Sequence, residues 1–236
     1  KKYIKSNACV GVNSGTAALN LALSLFNVKN KEVILPSMSF VSTAHCIVEN
    51  KGIPVFVDIK PDTLCIDPKE IESAITRNTA AIIPVHFGGM PCDMNRILRI
   101  SKQHKLEIIE DAAHSVGTKF NKQKIGRHGT AVCFSFHPVK NLAMPTGGLI
   151  SINHKNHEKL RQILFSRRWC GITNRNNTEY DVKEIGWNYY MNEFSAAVGL
   201  EQLKKIEKLN TIRKKIARKY DEGIDIKRKI PLDNNC

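Results

Sequence analysis

Short apolar runs alternate along the chain with segments in which apolar residues recur every three or four positions. Each run has the length of one strand, and most are apolar at consecutive positions, which is typical of strands buried on both faces. The spaced segments predict helices with one apolar face. We predict strands at 32–35, 53–58, 80–86, 106–111, 131–134 and 148–152. We predict one helix that begins near 14 and further helices at 40–49, 68–76, 94–104, 157–168 and 193–220.

This alternation of strand and helix predicts the α/β class, with a mostly parallel sheet between two helical layers in a three-layer α/β/α arrangement. We expect one large domain over residues 1–222 and the start of a mostly absent C-terminal domain at 223–236. Two stretches lack a clear period. We expect a mobile, asparagine-rich loop at 171–177 and irregular structure at 180–191.

The chain has 236 residues and a formal net charge of +14 at pH 7. Such an excess of basic residues can recruit nucleic acid, an anionic membrane or a small polyanion such as a nucleotide diphosphate. Many of the basic residues fall on one face of the helix predicted at 193–220, where a solvated helix surface is the preferred interpretation. No helix-turn-helix pattern and no mixture of aromatic and basic residues favours nucleic acid.

The cellular compartment can be predicted from the length of the apolar runs. None approaches the roughly 18 residues that cross a bilayer, and the first residues lack the apolar segment of a secretory signal. We therefore expect a cytoplasmic protein without a membrane partner. Its seven cysteines form no close C-x-x-C pair, and its eight histidines show no metal-ligand spacing. We expect reduced, mostly buried thiols and no metal site.

Candidate catalytic residues follow the strand predicted at 131–134. This strand delivers Ser135 and Lys140 to its carboxyl end, where open α/β sheets bind ligands. A lysine at that place can form a Schiff base with an aldehyde cofactor, and a serine beside it can hold a phosphate. Taken alone, one lysine of a basic chain is more often a solvated surface group.

Two further elements fit the same ligand. Ser14, Gly15 and Thr16 begin a predicted helix, whose free N–H groups and positive dipole end can bind a phosphate. Asp111 ends the strand at 106–111, and a carboxylate there can keep a pyridine nitrogen protonated. Each of these elements is also typical of an ordinary helix cap. Their occurrence together in one chain is much rarer by chance than the occurrence of any one of them.

Six motifs are spread over almost the whole chain: SGTAAL at 14–19, PSMSF at 36–40, VFVD at 55–58, PVHFG at 84–88, EDAAH at 110–114 and FSFHPVKN at 134–141. Together they resemble the DegT/DnrJ/EryC1/StrS family of aminotransferases, which depend on pyridoxal 5′-phosphate (PLP) and act on nucleotide-activated keto-sugars. The resemblance implies the aspartate-aminotransferase-like large domain of PLP fold type I.

The resemblance also implies a role for each matching residue. Lys140 is the catalytic residue and holds the cofactor as a Schiff base. Asp111 pairs with the ring nitrogen, His114 lies near the phenolic oxygen, and Phe40 stacks on the pyridine face. The cofactor phosphate is bound by Gly15, Thr16 and Ser135.

A further phosphate contact is implied to come from a second subunit. Asn188 matches an asparagine that reaches the cofactor phosphate of the neighbouring protomer, so we expect a homodimer with shared active sites. Where this chain has Tyr190, the family often has arginine.

The activity implied by the resemblance is a two-stage transfer of an amino group from L-glutamate to a keto carbon of a nucleotide-diphosphate-linked sugar. Amination at C3 and at C4 of the sugar both remain open, as does the identity of the nucleotide. One alternative is a PLP-dependent keto-sugar dehydratase, but related dehydratases have histidine in place of the lysine, which disfavours this alternative. A second alternative, suggested by the charge, is a non-catalytic nucleic-acid-binding or regulatory protein.

Overall fold

The computed structural model describes residues 1–224, which form eleven strands and six α-helices. In chain order these are β1 (Ala8–Val12), α1 (Gly15–Ser24), β2 (Glu32–Pro36), α2 (Val41–Glu49), β3 (Ile53–Val57), α3 (Pro68–Ala74), β4 (Thr79–Ile82), α4 (Met94–His104), β5 (Glu107–Asp111), β6 (Lys119–Phe120), β7 (Gln123–Lys124), β8 (Ala131–Ser135), β9 (Gly148–Ile152), α5 (His157–Arg167), β10 (Ile172–Asn176), β11 (Glu179–Val182) and α6 (Glu193–Gly223).

Seven strands form one sheet in the order β1-β9-β8-β5-β4-β2-β3. Neighbouring strands from β8 to β3 are all parallel, whereas β9 runs antiparallel to both β8 and β1. The prediction of a mostly parallel sheet is therefore confirmed.

Helices cover both faces of this sheet because successive side chains of a strand point to opposite faces. Val33 and Leu35 of β2 pack into a core formed with α1, α2 and α5, whereas Ile34 packs into a second core with α3 and α4. A third cluster joins the β8 residue Val132 to Ile206 of α6. The predicted three-layer α/β/α architecture is confirmed.

Two predicted helix starts have the expected caps. The Ser14 hydroxyl accepts a hydrogen bond from the Ala17 N–H group at 3.0 Å, and the Asp67 carboxylate accepts one from the Lys69 N–H group at 2.9 Å. Side chains at these positions satisfy backbone donors that have no partner inside the helix, and so they fix where α1 and α3 begin.

The predictions for 171–177 and 180–191 were wrong in part. Strands β10 and β11 form an antiparallel hairpin with Ile172 opposite Val182. Asn174 and Asn177 adopt positive φ angles of 50° and 53°, which asparagine tolerates better than most residues. These asparagines therefore support an irregular register and a tight turn instead of a long loop.

The sheet also differs from the predicted pattern at two other places. Strand β1 was not predicted, although Ala8, Val10 and Val12 alternate into the core. The strand predicted at 80–86 ends at Ile82, because Pro84 has no N–H group to donate to a neighbouring strand.

Helix α6 ends at Gly223, next to the domain boundary predicted at 222. Of the second segment predicted at 223–236, residues 225–236 lie outside the part of the chain that the structure describes. Four of the cysteines described are buried, and Cys170 is exposed. Within residues 1–224, no helix has the length and apolar content to cross a bilayer. In the same range, no three His, Cys, Asp or Glu side chains form a group that could hold a metal ion.

Candidate active site

The candidate site lies at the carboxyl ends of β5 and β8, two neighbouring parallel strands near the middle of the sheet. Asp111 faces the same side of β5 as Ile109, and Ser135 faces the same side of β8 as Cys133, because side chains alternate along a strand. Ile109 and Cys133 both pack into the core that contains α1 and α2. The acid and the serine therefore share the sheet face that these two helices cover.

The N-terminus of α1 lies directly against the end of β8. A Cβ atom added to Gly15 would lie 2.8 Å from the Cβ atom of Ser135, closer than real Cβ atoms approach, so a larger residue would force the helix and the strand apart. Gly15, Thr16 and Ser135 line one cavity. The first-turn N–H groups of a helix and a serine hydroxyl are together suited to binding a phosphate.

Three residues of one segment around α2 contact the site. Phe40, the residue before the helix, is 72% exposed and lines the cavity. Thr43 is buried, and its hydroxyl donates a hydrogen bond to Asp111 Oδ2 at 2.8 Å. The Cys46 thiol donates to the Thr16 carbonyl oxygen at 3.5 Å. Their spacing of three places them on one helix face.

Asp111 is held in a fixed orientation. Only 5% of the residue is exposed, and its Oδ1 atom accepts a hydrogen bond from the Ala113 N–H group at 3.1 Å. On the main chain, the Asp111 N–H group donates to the Pro84 carbonyl at 2.9 Å, and the His86 N–H group donates to the Asp111 carbonyl at 3.0 Å. Both carboxylate oxygens thus have one protein donor, and each keeps a lone pair for a ligand.

Lys140 lies in the turn after β8, where its N–H group donates to the His137 carbonyl at 2.9 Å. Its side chain lines the cavity, and no acidic group within residues 1–224 forms an ion pair with it. Burial lowers the pKa of Lys140 below its ordinary value, and the nearby charge of Asp111 partly opposes this. A lower pKa increases the neutral, nucleophilic fraction of the amine.

His114 faces the same cavity. Its Nδ1 atom accepts a hydrogen bond from the Gly88 N–H group at 3.1 Å, and its ring meets Phe87 edge to face with centroids 6.0 Å apart. Burial, together with the positive charge of Lys140, lowers the pKa of His114, while Asp111 opposes the shift. The imidazole is therefore neutral at neutral pH, with its proton on Nε2.

One cavity of about 290 Å³ brings together seven of the eight residues predicted from the sequence. These seven are Gly15, Thr16, Phe40, Asp111, His114, Ser135 and Lys140. Asn188 does not line it: the residue is exposed, and its carbonyl accepts a hydrogen bond from the Asn13 side chain at 3.3 Å. Tyr190, two residues on, packs edge to face on Trp169 at 4.3 Å between centroids.

Sequence reasoning missed two contributors to the site. For Thr43 the sequence offers only a three-residue spacing to Phe40, which places both on one helix face but does not reveal the contact with Asp111. His86 also lines the cavity, and its Nε2 atom lies 2.8 Å from Glu110 Oε2 in a fully buried pair. Because His86 Nδ1 accepts a hydrogen bond from the Cys92 N–H group at 3.1 Å, the proton is on Nε2 and is donated to Glu110. His86 and Glu110 belong to the PVHFG and EDAAH motifs, but a motif does not reveal the contact.

The cavity fits a flat, phosphorylated aromatic aldehyde. The first-turn N–H groups of α1 and the Ser135 hydroxyl lie together at the cavity, and the exposed ring of Phe40 offers a surface for stacking. Opposite charges, the Asp111 carboxylate and the Lys140 amine, face the same space. These are the groups that a protonated ring nitrogen and an aldehyde carbon require.

Comparison with known proteins supports this fit. The chain is 38% identical over 224 residues to the spore coat polysaccharide biosynthesis protein SpsC of Bacillus subtilis, covering 92% of this chain and 58% of SpsC. Among solved structures, the Helicobacter pylori aminotransferase PseC, involved in the biosynthesis of pseudoaminic acid, matches with a TM-score of 0.88 and 31% identity, over 94% of this chain and 59% of PseC.

A third match is a protein whose structure has been solved in PMP and PLP forms. Spr1654 of Streptococcus pneumoniae, described as a candidate sugar aminotransferase, matches in its PMP form with a TM-score of 0.92 and 30% identity, over 100% of this chain and 64% of Spr1654. It has also been solved in a PLP form. The chain thus spans about three fifths of the length of the relatives that it matches.

The model of the DegT/DnrJ/EryC1/StrS aminotransferase family matches residues 1–233, almost the entire sequence. Sequence and fold therefore agree over the same stretch, and the cofactor of the family, PLP, fits the cavity at the ends of β5 and β8. The chain belongs to the DegT/DnrJ/EryC1/StrS aminotransferase family.

Proposed function

We propose that this chain is the cofactor-binding part of an aminotransferase that moves an amino group from L-glutamate to a keto carbon of a nucleotide-diphosphate-linked sugar. The observation that carries the proposal is the placement of Lys140 in one cavity with Asp111, Ser135 and Gly15. When bound, PLP supplies an aldehyde that combines with amines and a ring that stores an electron pair.

Lys140 has two roles in this proposal. Its Nζ atom would hold the aldehyde carbon of the cofactor covalently, with loss of water. Once freed by the amino donor, the amine would move a proton from the α-carbon of the donor to the C4′ carbon of the cofactor, and in the second half a proton from C4′ to the sugar carbon. The lowered pKa of Lys140 suits both roles, because a neutral amine is needed to attack and to accept a proton.

The other residues bind and orient. The Gly15 and Thr16 N–H groups and the Ser135 hydroxyl would donate to the phosphate, and Phe40 would cover one face of the ring. Asp111 would accept a hydrogen bond from the ring nitrogen. The neutral His114 donates from Nε2 to the phenolic oxygen, since its Nδ1 atom is occupied by the Gly88 N–H group.

A sugar substrate is supported by the roles of SpsC in spore coat polysaccharide biosynthesis and of PseC in pseudoaminic acid biosynthesis. A nucleotide diphosphate is supported by an open groove between α5 and the β10–β11 hairpin, next to Asn188. Aromatic and basic side chains line this groove together, a combination that suits a base and a phosphate. The basic residues are Arg161, Arg168, Arg175 and Lys183, and the aromatic ones include Trp169 and Tyr190.

A homodimer with shared active sites is part of the proposal. Asn188 is exposed and lies outside the cavity of its own chain, as expected of a side chain that serves a neighbouring protomer. Several large apolar side chains near it are also exposed, including Ile185 at 90% and Phe194 at 88%. Apolar surface of this kind is typical of protein interfaces.

The test uses the full-length protein loaded with PLP. We expect visible absorption from the bound cofactor, covalent fixation of the cofactor on Lys140 by borohydride, and bleaching of the visible band when L-glutamate is added. A panel of nucleotide keto-sugars should then restore the band. The variant Lys140→Ala should bind PLP without borohydride fixation and should lose at least about 1,000-fold in amine transfer. A protein that stays colourless and unlabelled with added PLP would show the proposal to be wrong.

A further inference from the structure

Thr43 makes a buried contact that the roles assigned above do not use. It lies in the first turn of α2, its residue is fully buried, and its hydroxyl oxygen is 2.8 Å from Asp111 Oδ2. An ionised carboxylate can only accept hydrogen bonds, so the hydroxyl is the donor. The contact joins two residues that are 68 positions apart in the chain.

The hydroxyl and one backbone group together fix the plane of the Asp111 carboxylate. Thr43 donates to Oδ2, and the Ala113 N–H group donates to Oδ1 at 3.1 Å. Two donors on different oxygens leave the carboxylate no free rotation about its last bond. Without Thr43, only the Ala113 contact would oppose that rotation.

The same helical turn also positions the stacking ring. The Thr43 N–H group donates to the Phe40 carbonyl at 3.0 Å, so the turn that presents the exposed Phe40 ring also presents the Thr43 hydroxyl. A cofactor ring that stacks on Phe40 would thus meet a carboxylate held by the same segment. The titratable groups whose pKa the charge of Asp111 raises are Lys140, His114, Cys46 and Cys133.

We propose that Thr43 is a positioning residue that aims the Asp111 carboxylate at the nitrogen of the cofactor ring. The inference rests on the proposed function, because it requires PLP in the cavity. It differs from a purely structural role in one respect: the Thr43 hydroxyl matters to the cofactor only through the ring nitrogen.

The test compares PLP with an analogue in which a carbon atom replaces the ring nitrogen. Thr43→Val keeps the branched shape of the side chain and replaces the hydroxyl with a methyl group. We expect this variant to bind PLP about 10-fold more weakly than the wild type, because a carboxylate that can turn weakens the charged hydrogen bond between Asp111 and the ring nitrogen. Its affinity for the nitrogen-free analogue should stay within about 2-fold of the wild-type value, because that analogue has no partner for Asp111. Affinities are measured by titrating the apoprotein with each ligand.

Two variants control the experiment. Thr43→Ser restores the hydroxyl and should recover most of the PLP affinity. Thr118→Val removes another buried threonine hydroxyl, one that donates to the Gly89 carbonyl at 3.0 Å and does not line the cavity. This variant can lower the melting temperature of the apoprotein but should leave the ratio of the two affinities unchanged.

The outcomes separate the inference from the function on which it rests. If Thr43→Val weakens PLP and the analogue equally, or weakens neither, Thr43 does not act through the ring nitrogen and the inference is wrong, while the proposed function stands. If the wild-type protein binds no PLP and Lys140 is not labelled by borohydride, the proposed function itself has failed.

Discussion

The strand ends that form the cavity and the segment from Gly171 to Leu200 are built on different principles. At the strand ends, the candidate functional residues are buried and held in position by the sheet: Asp111 is 5% exposed and Ser135 is 7% exposed. In the later segment, the β10–β11 hairpin and the start of α6 carry apolar side chains that remain in contact with solvent, such as Val182 at 62% and Leu200 at 63%.

The two regions obtain their shapes in different ways. A cavity at the strand ends is fixed by the sheet and by the helices packed on it, so it exists in a single chain and is disturbed by changes within that chain. The hairpin has no core of its own, and we expect its position to depend on a second protomer. Substitutions in the first region should therefore act on the cofactor at any protein concentration, and those in the second should act through assembly.

The largest effect is expected where α1 meets β8. Gly15→Ala places a methyl group 2.8 Å from the Ser135 Cβ atom, so the helix start or the serine must move. Because we propose that both bind the phosphate, we expect PLP affinity to fall about 100-fold, the size of effect expected from weakening hydrogen bonds to a charged group. Titration of the apoprotein with PLP measures the loss.

Gly11→Ala is the matched control for this substitution. A Cβ atom on Gly11 in β1 would meet only the Met191 Cε atom at 3.7 Å, an ordinary contact. We expect this variant to bind PLP as the wild type does. Equal affinities for Gly15→Ala and the wild type would mean that the close contact between α1 and β8 does not shape the phosphate site.

The same contrast explains what the sequence revealed. Asp111 and Ser135 could be placed at one sheet edge because apolar runs mark buried strands and parallel strands end together. The contact of Thr43 with Asp111 could not, since it depends on how α2 packs across the sheet. The hairpin was missed because Ile172–Asn176 shows no alternation of apolar and polar positions, and the alternation in Glu179–Val182 covers only four residues, all of them exposed.

An intermediate effect is expected for Asn188, whose predicted role crosses between protomers. Asn188→Ala should reduce PLP affinity about 10-fold through loss of one hydrogen bond to a charged phosphate. Mixing Asn188→Ala with Lys140→Ala subunits then distinguishes the two possible arrangements. If Asn188 serves the neighbouring site, each mixed dimer has one site with both wild-type residues.

We expect an equimolar mixture of these two variants, after subunit exchange, to recover about a quarter of the wild-type activity at limiting PLP, because half of the dimers are mixed and half of their sites are intact. Each variant incubated alone is the control. If Asn188 served its own chain, no intact site could form, and the mixture would show no more activity than the average of the two variants. That result would contradict the shared active site.

The smallest effect is expected in the hairpin, where a matched pair of substitutions compares the two regions directly. Val33 in β2 is fully buried, and Val182 in β11 is 62% exposed. Val33→Ala removes two buried methyl groups and leaves a cavity in the core, which should reduce the free energy of unfolding by about 2 kcal/mol. Val182→Ala should change it by less than about 0.5 kcal/mol at protein concentrations where the chain is monomeric. Urea denaturation of the apoprotein over a range of protein concentrations measures both changes.

If the hairpin packs against a second protomer, the loss of unfolding free energy caused by Val182→Ala should increase as dimers form, while the loss caused by Val33→Ala stays constant. A large cost in the monomer would instead mean that the hairpin is held by its own chain, and the contrast between the two regions would be lost.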